Sequence, residues 1–320
     1  MKKLTQQAQG KPKLIAIVGP TASGKTSLSI FLAQKIKGYA CLGGEVISAD
    51  SRQVYRGLNR GTGKVTKEEM AGIPHHLLDV ANAKKQFSAS DFLTQAKKAC
   101  FGILQNNKIP IIVGGTGFYV DTLLGRMIFP DVIPNENLRQ RLEKKSLEQL
   151  MLLLSTKDPK RARTVDRHNK RRIIRALEIA EALGVSPQGG PALKAAGAYE
   201  VLWVGIAPSQ KQLRKNIRTR LLSRIQNGMV EEAIALHKKG LSYKRMEELG
   251  LEYRYQALLL QGKLTKEAFI EQLERAIQHY AKRQLRWFAR NQDIHWVTSK
   301  DEAFKLSKSF LITTEAKIKK

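Results

Sequence analysis

Between an apolar run and a helix-forming stretch the chain reads Gly19-Pro20-Thr21-Ala22-Ser23-Gly24-Lys25-Thr26. No other segment limits the possible folds as strongly. The pattern GxxxxGK[ST] works only with a strand before it and a helix after it. Its glycines let the backbone wrap around a phosphate, and successive N–H groups then point inward at the helix N-terminus. Lys25 is placed to reach the terminal phosphates, and the Thr26 hydroxyl is placed to hold Mg²⁺. The loop asks for a diphosphate or triphosphate without saying which, so ATP binding is one reading among others.

The flanking sequence supplies the required context. Leu14 to Val18 is a continuous apolar run of strand length, followed by a helical stretch through Leu28, Phe31 and Leu32. Val46-Ile47 leads a second strand ending near Asp50, Ile109 to Val113 forms a third, and Val201 to Ile206 a fourth. Apolar strands separated by helix-length segments predict a parallel sheet covered on both faces. From Asn135 to about Leu183 the pattern is helical and rich in Arg and Lys, and a Ser/Pro/Gly break follows at residues 186–191. From Lys211 onward the chain reads as mostly helical. The expected fold class is therefore α/β: a P-loop NTPase-like parallel sheet core with a helical insertion domain and a helical C-terminal part. Residues 1–130 are the first part of the core, 131–198 the helical insertion, and 199–320 the completion of the core with basic C-terminal helices.

Charge narrows the function. Among 320 residues, 56 Lys and Arg stand against 28 Asp and Glu, a net charge of +28. Solubility does not need so much, and the excess points to a polyanion, nucleic acid before membrane. It is spread through all three segments. Lys317, Lys319 and Lys320 read only as a solvated terminal cluster. No window holds eighteen consecutive apolar residues, which predicts no membrane span. The opening MKKLTQQAQGKPK has no apolar core and does not read as a secretory signal. Cys41 and Cys100 form no CxxC pair, so neither a zinc site nor a disulfide framework is expected, and a reducing cytoplasm is the simplest home.

Two further features belong with the phosphate loop. Gly114-Gly115-Thr116-Gly117 follows the strand ending at Val113, and ligands in such sheets sit beyond the strands' C-terminal ends. Thr116 is then either a hydroxyl donor to a leaving-group oxygen or a capping residue in a tight turn. Asp50 ends another strand and opens the segment DSRQVY. Its carboxylate has three readings: Mg²⁺ ligand, general base, or helix cap. His75 and His76 lack a metal partner at ligand spacing and read as structural.

Basic helices follow. Residues 157–175 carry nine basic residues against two acids, with Arg171, Arg172 and Arg175 on one helical face. So many charges of one sign call for an anion, RNA or phosphate. Near the C-terminus Phe269, Leu273, Ile277, Tyr280, Gln284 and Trp287 form a largely apolar stripe. Arg275, His279, Lys282, Arg286 and Arg290 form a basic one. Such a helix can pack on a core and face a phosphate backbone. Arg214, Arg218, Arg220 and Arg224 add another series, some of which can clamp a pyrophosphate.

GPTASGKT (19–26), DSRQVY (50–55), GTGK (61–64), PHHLLD (74–79), SASDF (88–92), VGGTGFYV (113–120), NKRRIIRALE (169–178) and KRQLRW (282–287) are spread from residue 19 to residue 287, across most of the chain. In their content and order the chain resembles the tRNA dimethylallyltransferases, or tRNA isopentenyltransferases. The resemblance implies transfer of a dimethylallyl group from dimethylallyl diphosphate to N6 of the adenosine at tRNA position 37, 3′ of the anticodon. The phosphate loop would then hold pyrophosphate rather than ATP, with Mg²⁺ as cofactor. Asp50 would be the general base, Thr116 would bond the bridging oxygen, and Arg220 would bind pyrophosphate. The anticodon stem-loop would meet Asp50, Ser51, Arg52, Gln53, Thr116, Arg139, Arg171, Arg172, Ile173, Ile174, Arg175, Lys282, Arg283, Gln284, Leu285, Arg286, Trp287, Phe288 and Ala289. The chain departs from the family pattern at Gly250-Leu251-Glu252-Tyr253-Arg254, where many members have GYKE or GYRE. It departs again at Arg286, where bacterial members often carry Thr. A monomer is expected, with no membrane and no obligate protein partner.

Three other functions share some of these features. A small-molecule kinase has a phosphate loop and a helical lid but leaves the C-terminal basic stripe without a task. A free-nucleotide isopentenyltransferase has no need of a large basic surface. A non-catalytic RNA-binding protein leaves the loop, Asp50 and Thr116 idle.

Overall fold

The computed structural model describes residues 10–127, 130, 132–133, 135–184 and 198–312. The break at 186–191 and the lysines at 317–320 lie outside the described residues. Two compact units are present: Met1–Leu124 together with Gly197–Lys320, and Gly125–Ala196.

The first unit begins with β1 (Lys13–Val18), α1 (Lys25–Lys35), β2 (Gly44–Ser48), α2 (Lys67–Met70), β3 (His75–His76), α3 (Ala89–Gln105), β4 (Ile109–Gly114) and α4 (Gly117–Leu123). The second unit holds α5 (Glu136–Glu143), α6 (Leu147–Lys157), α7 (Pro159–Thr164) and α8 (Lys170–Leu183). The chain returns to the first unit with β5 (Glu200–Ile206), α9 (Gln210–Gln226), α10 (Met229–Lys238), α11 (Tyr243–Leu249), α12 (Leu251–Leu260), α13 (Lys266–Phe288), β6 (Ile294–Val297) and α14 (Lys300–Ile312).

The strands form one sheet in the order β3-β2-β4-β1-β5-β6, with every neighbouring pair parallel. β1 is central and has no hydrophilic residue after Lys13, as a strand buried on both faces requires. Its side chains alternate. Leu14, Ala16 and Val18 pack with Phe92, Ala96 and Cys100 of α3 and with Phe288 of α13. Ile15 and Ile17 pack on the other face with Leu28 and Leu32 of α1 and Leu311 of α14. Burial in this core pushes the Cys100 thiol up to about 12, so it stays an unreactive thiol.

Local signals set the helix ends. Ser88 accepts from the Asp91 N–H while the Asp91 carboxylate accepts from the Ser88 N–H, a reciprocal cap that starts α3. Thr265 caps α13 by accepting from the Ala268 N–H. α13 buries Phe269, Leu273, Ile277, Ala281, Gln284 and Phe288, one stripe of its surface. Arg275, His279, Lys282, Arg286 and Arg290 are exposed, so the predicted apolar and basic stripes occupy different faces.

The second unit has its own core of Leu138, Leu142, Leu150, Leu154, Ile173, Ile174 and Leu177. Among the described residues no helix is long and apolar enough to cross a membrane.

Candidate active site

The phosphate loop joins β1 to α1, as the motif requires. Gly19 has φ 148°, and a Cβ there would lie 2.3 Å from the Ile206 carbonyl oxygen on β5. Gly24 caps α1 with φ 94°, in the left-handed region. Both glycines are therefore needed for the backbone path. The loop is held from outside by side chains. The Thr21 N–H donates to Gln284 Oε1 at 2.8 Å, and Asn216 Nδ2 donates to the Ala22 carbonyl at 3.1 Å.

Beside the loop lies a cavity of about 1610 Å³. Thr21 to Thr26, Asp50 to Gln53, Gly114, Gly115, Arg220, Tyr280, Arg283 and Gln284 all line it. The loop, the segment after β2 and the turn after β4 thus meet beyond the C-terminal ends of parallel strands, where such sheets bind ligands. Gly19 and Pro20 sit beneath, buried against the sheet.

The cavity is short of negative charge. Burial draws the Lys25 ammonium down to about 7, the neighbouring Arg220 lowers it further, and Asp50 opposes the drop. Burial also lowers the Arg220 guanidinium, with Arg224 adding to the effect. Lys25 Nζ donates to the Pro20 carbonyl at 2.5 Å, and Arg220 Nη2 to the Gly63 carbonyl at 2.9 Å. The buried Ser23 hydroxyl has no partner. Two cations and an unpartnered buried hydroxyl therefore lie together at this loop, an arrangement that favours an anion.

Asp50 and Thr116 come together through Ser51. Asp50 Oδ1 accepts from the backbone N–H groups of Arg52 at 2.8 Å and Gln53 at 3.3 Å. The carboxylate therefore holds a turn and lines the cavity at once. Thr116 precedes α4 but makes no side-chain cap bond. Its Oγ1 instead accepts from the Ser51 N–H at 3.1 Å. Tyr280 on α13 interacts with the Thr116 side chain, and its phenol is pushed up to about 12, by burial first and then by the charge of Asp50. Sequence reading placed Tyr280 only in an apolar stripe. The signal that could have marked it is its position one turn before Gln284 on the same helix face.

The remaining predicted site residues fall in different places. Gln284 is buried and donates from Nε2 to the Gly115 carbonyl at 2.9 Å, so its amide joins both glycine turns. Trp287 Nε1 donates to Asp121 at 2.7 Å, and a Cβ on Gly117 would come within 2.1 Å of its ring. Leu285 is partly buried, Phe288 is in the core, and Lys282, Arg283, Arg286 and Ala289 are exposed. In the second unit, Arg171 and Arg172 are exposed while Ile173 and Ile174 are core residues. Arg139 and Arg175 both bind the buried Glu178, at 2.8 and 3.2 Å. In the divergent 250–254 segment, Glu252 pairs with Arg224 at 3.2 Å and the Tyr253 ring is fully buried. His75 donates from Nδ1 to the Ile73 carbonyl and His76 meets Glu45, both on the edge strand β3. No cluster of three His, Cys, Asp or Glu residues that could hold a metal occurs among the described residues.

Fold and site together define an α/β protein whose parallel sheet carries a GxxxxGK[ST] loop beside a cavity that Asp50 also lines. Comparison with known proteins makes the assignment narrower. A family model described as IPP transferase matches residues 53–292. A tRNA dimethylallyltransferase 2 of Treponema denticola is 41% identical over 293 residues, covering 90% of this chain and 96% of that relative. A tRNA dimethylallyltransferase of Alkaliphilus metalliredigens is 37% identical, covering 92% and 94%. The crystal structure of a tRNA isopentenylpyrophosphate transferase from Bacillus halodurans aligns with a TM-score of 0.69 at 33% identity, over 97% of this chain and 99% of that one. A eukaryotic dimethylallyltransferase captured acting on tRNA aligns with a TM-score of 0.78 at 25% identity, over 94% and 79%. The chain belongs to the IPP transferase family, the family of the tRNA dimethylallyltransferases, and is an enzyme, a prenyltransferase.

Proposed function

We propose that this enzyme transfers the dimethylallyl group of dimethylallyl diphosphate to N6 of the adenosine 3′ of the anticodon, position 37, in a tRNA. The products are N6-dimethylallyladenosine and diphosphate. The observation that carries the reading is the convergence on one cavity of a phosphate loop with two cations, Lys25 and Arg220, and of Asp50.

The donor's diphosphate lies against the loop amides, Ser23, Lys25 and Arg220, and its charge relieves the repulsion between the two cations. N6 attacks the allylic carbon, the new C–N bond forms and the C–O bond to diphosphate breaks. An exocyclic adenine amine is a weak nucleophile because its lone pair is delocalised into the ring. Asp50 accepts the proton it loses as the bond forms. Thr116 donates to the bridging oxygen as charge develops there. Thr26 lines the cavity, and its hydroxyl is the protein ligand that fits Mg²⁺ here, an ion held otherwise by substrate phosphates and water. Bound there, Mg²⁺ supplies further neutralisation of the leaving diphosphate.

The acceptor base must leave its stack to reach such a cavity. Asp50, Ser51, Arg52, Gln53, Thr116 and Arg283 meet the flipped nucleotide. Lys282, Arg286 and Ala289 at the exposed end of α13, with Arg139, Arg171, Arg172 and Arg175 of the second unit, contact the stem-loop, while Ile173, Ile174 and Phe288 support them from the cores. The cytoplasm, where tRNA is processed, is the site of action, and the enzyme works as a monomer.

The test is label transfer from dimethylallyl diphosphate, with Mg²⁺, to unmodified anticodon stem-loop RNA carrying adenosine or guanosine after the anticodon, with AMP in parallel. Label on the adenosine RNA alone is expected. Label on AMP moves the assignment to free nucleotides, and no label on any acceptor removes the prenyl-transfer reading.

A further inference from the structure

Glu232 on α10 does not line the cavity, yet it holds one of the cavity's walls. Its Oε2 accepts from the backbone N–H groups of Asn59 at 3.0 Å and Arg60 at 2.8 Å. Its Oε1 accepts from the Gly61 N–H at 3.0 Å and from the Tyr253 hydroxyl at 2.7 Å. Three consecutive amides aimed at one anion form a nest, and four donors fill what a carboxylate can accept. The turn so held is tight: the Lys64 N–H returns to the Asn59 carbonyl at 2.9 Å, and the Gly63 N–H to the Arg60 carbonyl at 3.2 Å.

The far side of that turn faces Arg220. The Gly63 carbonyl accepts from Arg220 Nη2 at 2.9 Å and from Gln53 Nε2 at 3.4 Å. Gly63 has φ 58°, and a Cβ there would lie 2.2 Å from Arg220 Nη2. The backbone is thus pressed against the guanidinium. One turn along α9, Arg224 Nη1 donates to the Gly61 carbonyl at 2.9 Å. Arg220 lines the cavity with its guanidinium held by the Gly63 carbonyl, so its aim depends on where that carbonyl is placed.

We propose that Glu232 is a positioning residue which, through the turn at residues 59–63, sets the reach of Arg220 toward the diphosphate. The proposal rests on the reading of the cavity as a diphosphate site. Residues far apart in the chain are joined in series: carboxylate, amide nest, Gly63 carbonyl, guanidinium. Glu232→Gln keeps the shape and replaces one accepting oxygen with a group that cannot accept from the amides. The effect travels to the diphosphate only if Arg220 is present to receive it.

The experiment measures calorimetric binding of inorganic diphosphate with Mg²⁺ to four proteins: wild type, Glu232→Gln, Arg220→Ala and the double variant. Glu232→Gln is expected to weaken binding by about tenfold, the scale of one charge-assisted hydrogen bond. In the Arg220→Ala background the same change is expected to have less than about a twofold effect, since the partner is already gone. In steady state the variant raises KM for the prenyl donor and leaves KM for RNA unchanged. Gly63→Ala, which displaces the guanidinium directly, is expected to reproduce the loss and serves if Glu232→Gln folds poorly. Equal losses with and without Arg220, or wild-type binding by either Glu232→Gln or Gly63→Ala, overturn the proposal alone. Absence of diphosphate binding by the wild type overturns the diphosphate reading and the proposal with it.

Discussion

Gln284 and Thr21, 263 residues apart in sequence, share a hydrogen bond of 2.8 Å that ties α13 to the phosphate loop. The other end of the same amide donates to the Gly115 carbonyl, so one buried side chain spaces the two glycine turns. Gln284→Ala leaves one donor and one acceptor without partners. Its expected cost is about 2 to 4 kcal/mol, at about 1–2 kcal/mol for each buried group. Denaturant unfolding reads this loss, and single-turnover transfer falls with it because the turns no longer hold their spacing.

The Asp50 carboxylate holds a turn, and in the proposed reaction it also accepts a proton. Asn at this position still offers Oδ1 to the amides of Arg52 and Gln53, so the turn survives. It cannot accept the proton from N6. Asp50→Asn is therefore expected to unfold within about 0.5 kcal/mol of the wild type while losing about 10²–10⁴ in the transfer rate. A rate within threefold of the wild type would remove Asp50 from the base role.

Lys25 lies in a cavity that disfavours its charge, through burial first and the nearness of Arg220 second. Such a residue serves binding at the cost of the fold. Lys25→Met is expected to abolish transfer and to raise the stability of the ligand-free protein by about 1 kcal/mol. Thermal melts with and without diphosphate check both halves: the variant melts higher alone and gains nothing from the ligand.

The second unit carries a pH-dependent anchor. Burial by itself would raise the Glu178 carboxyl. Hydrogen bonds from Arg139, from the Asn135 N–H and from Arg175 outweigh burial and hold it below its ordinary value. A depressed folded-state value contributes stability that is fully present above the unfolded value, about 4.3, and is lost as pH falls through the folded value. Glu178→Gln is expected to cost about 3 kcal/mol at pH 7, the scale of breaking a buried ion pair. Its deficit should shrink as pH falls below about 4. A deficit that stays constant from pH 7 to pH 3 would show that the charge of Glu178 does not contribute.

Much of the architecture was legible along the chain. The apolar runs at Leu14, Val46, Ile109 and Val201 are strands, because a parallel strand buried on both faces is built mainly from apolar residues. β3 and β6 were not legible. β3 is two residues long, and His75 and His76 carry no apolar signal. β6 is Ile-His-Trp-Val with only its ends buried, a pattern too short to tell from a loop. Both are edge strands, whose pairing is set by the sheet they join.

By itself the sequence determined the phosphate loop, the parallel core, the stripes of α13 and the family, because each depends on residues close together or on motifs of fixed spacing. Only the tertiary structure decided that Thr116 reaches Ser51 instead of capping its helix, that Gln284 bridges two turns, and that Glu232 gathers three amides behind Arg220. Side-chain hydrogen bonds between residues far apart in the chain leave no period in the sequence. They follow from where the packed helices deliver each polar group, and burial then leaves that group no partner except the one the fold supplies.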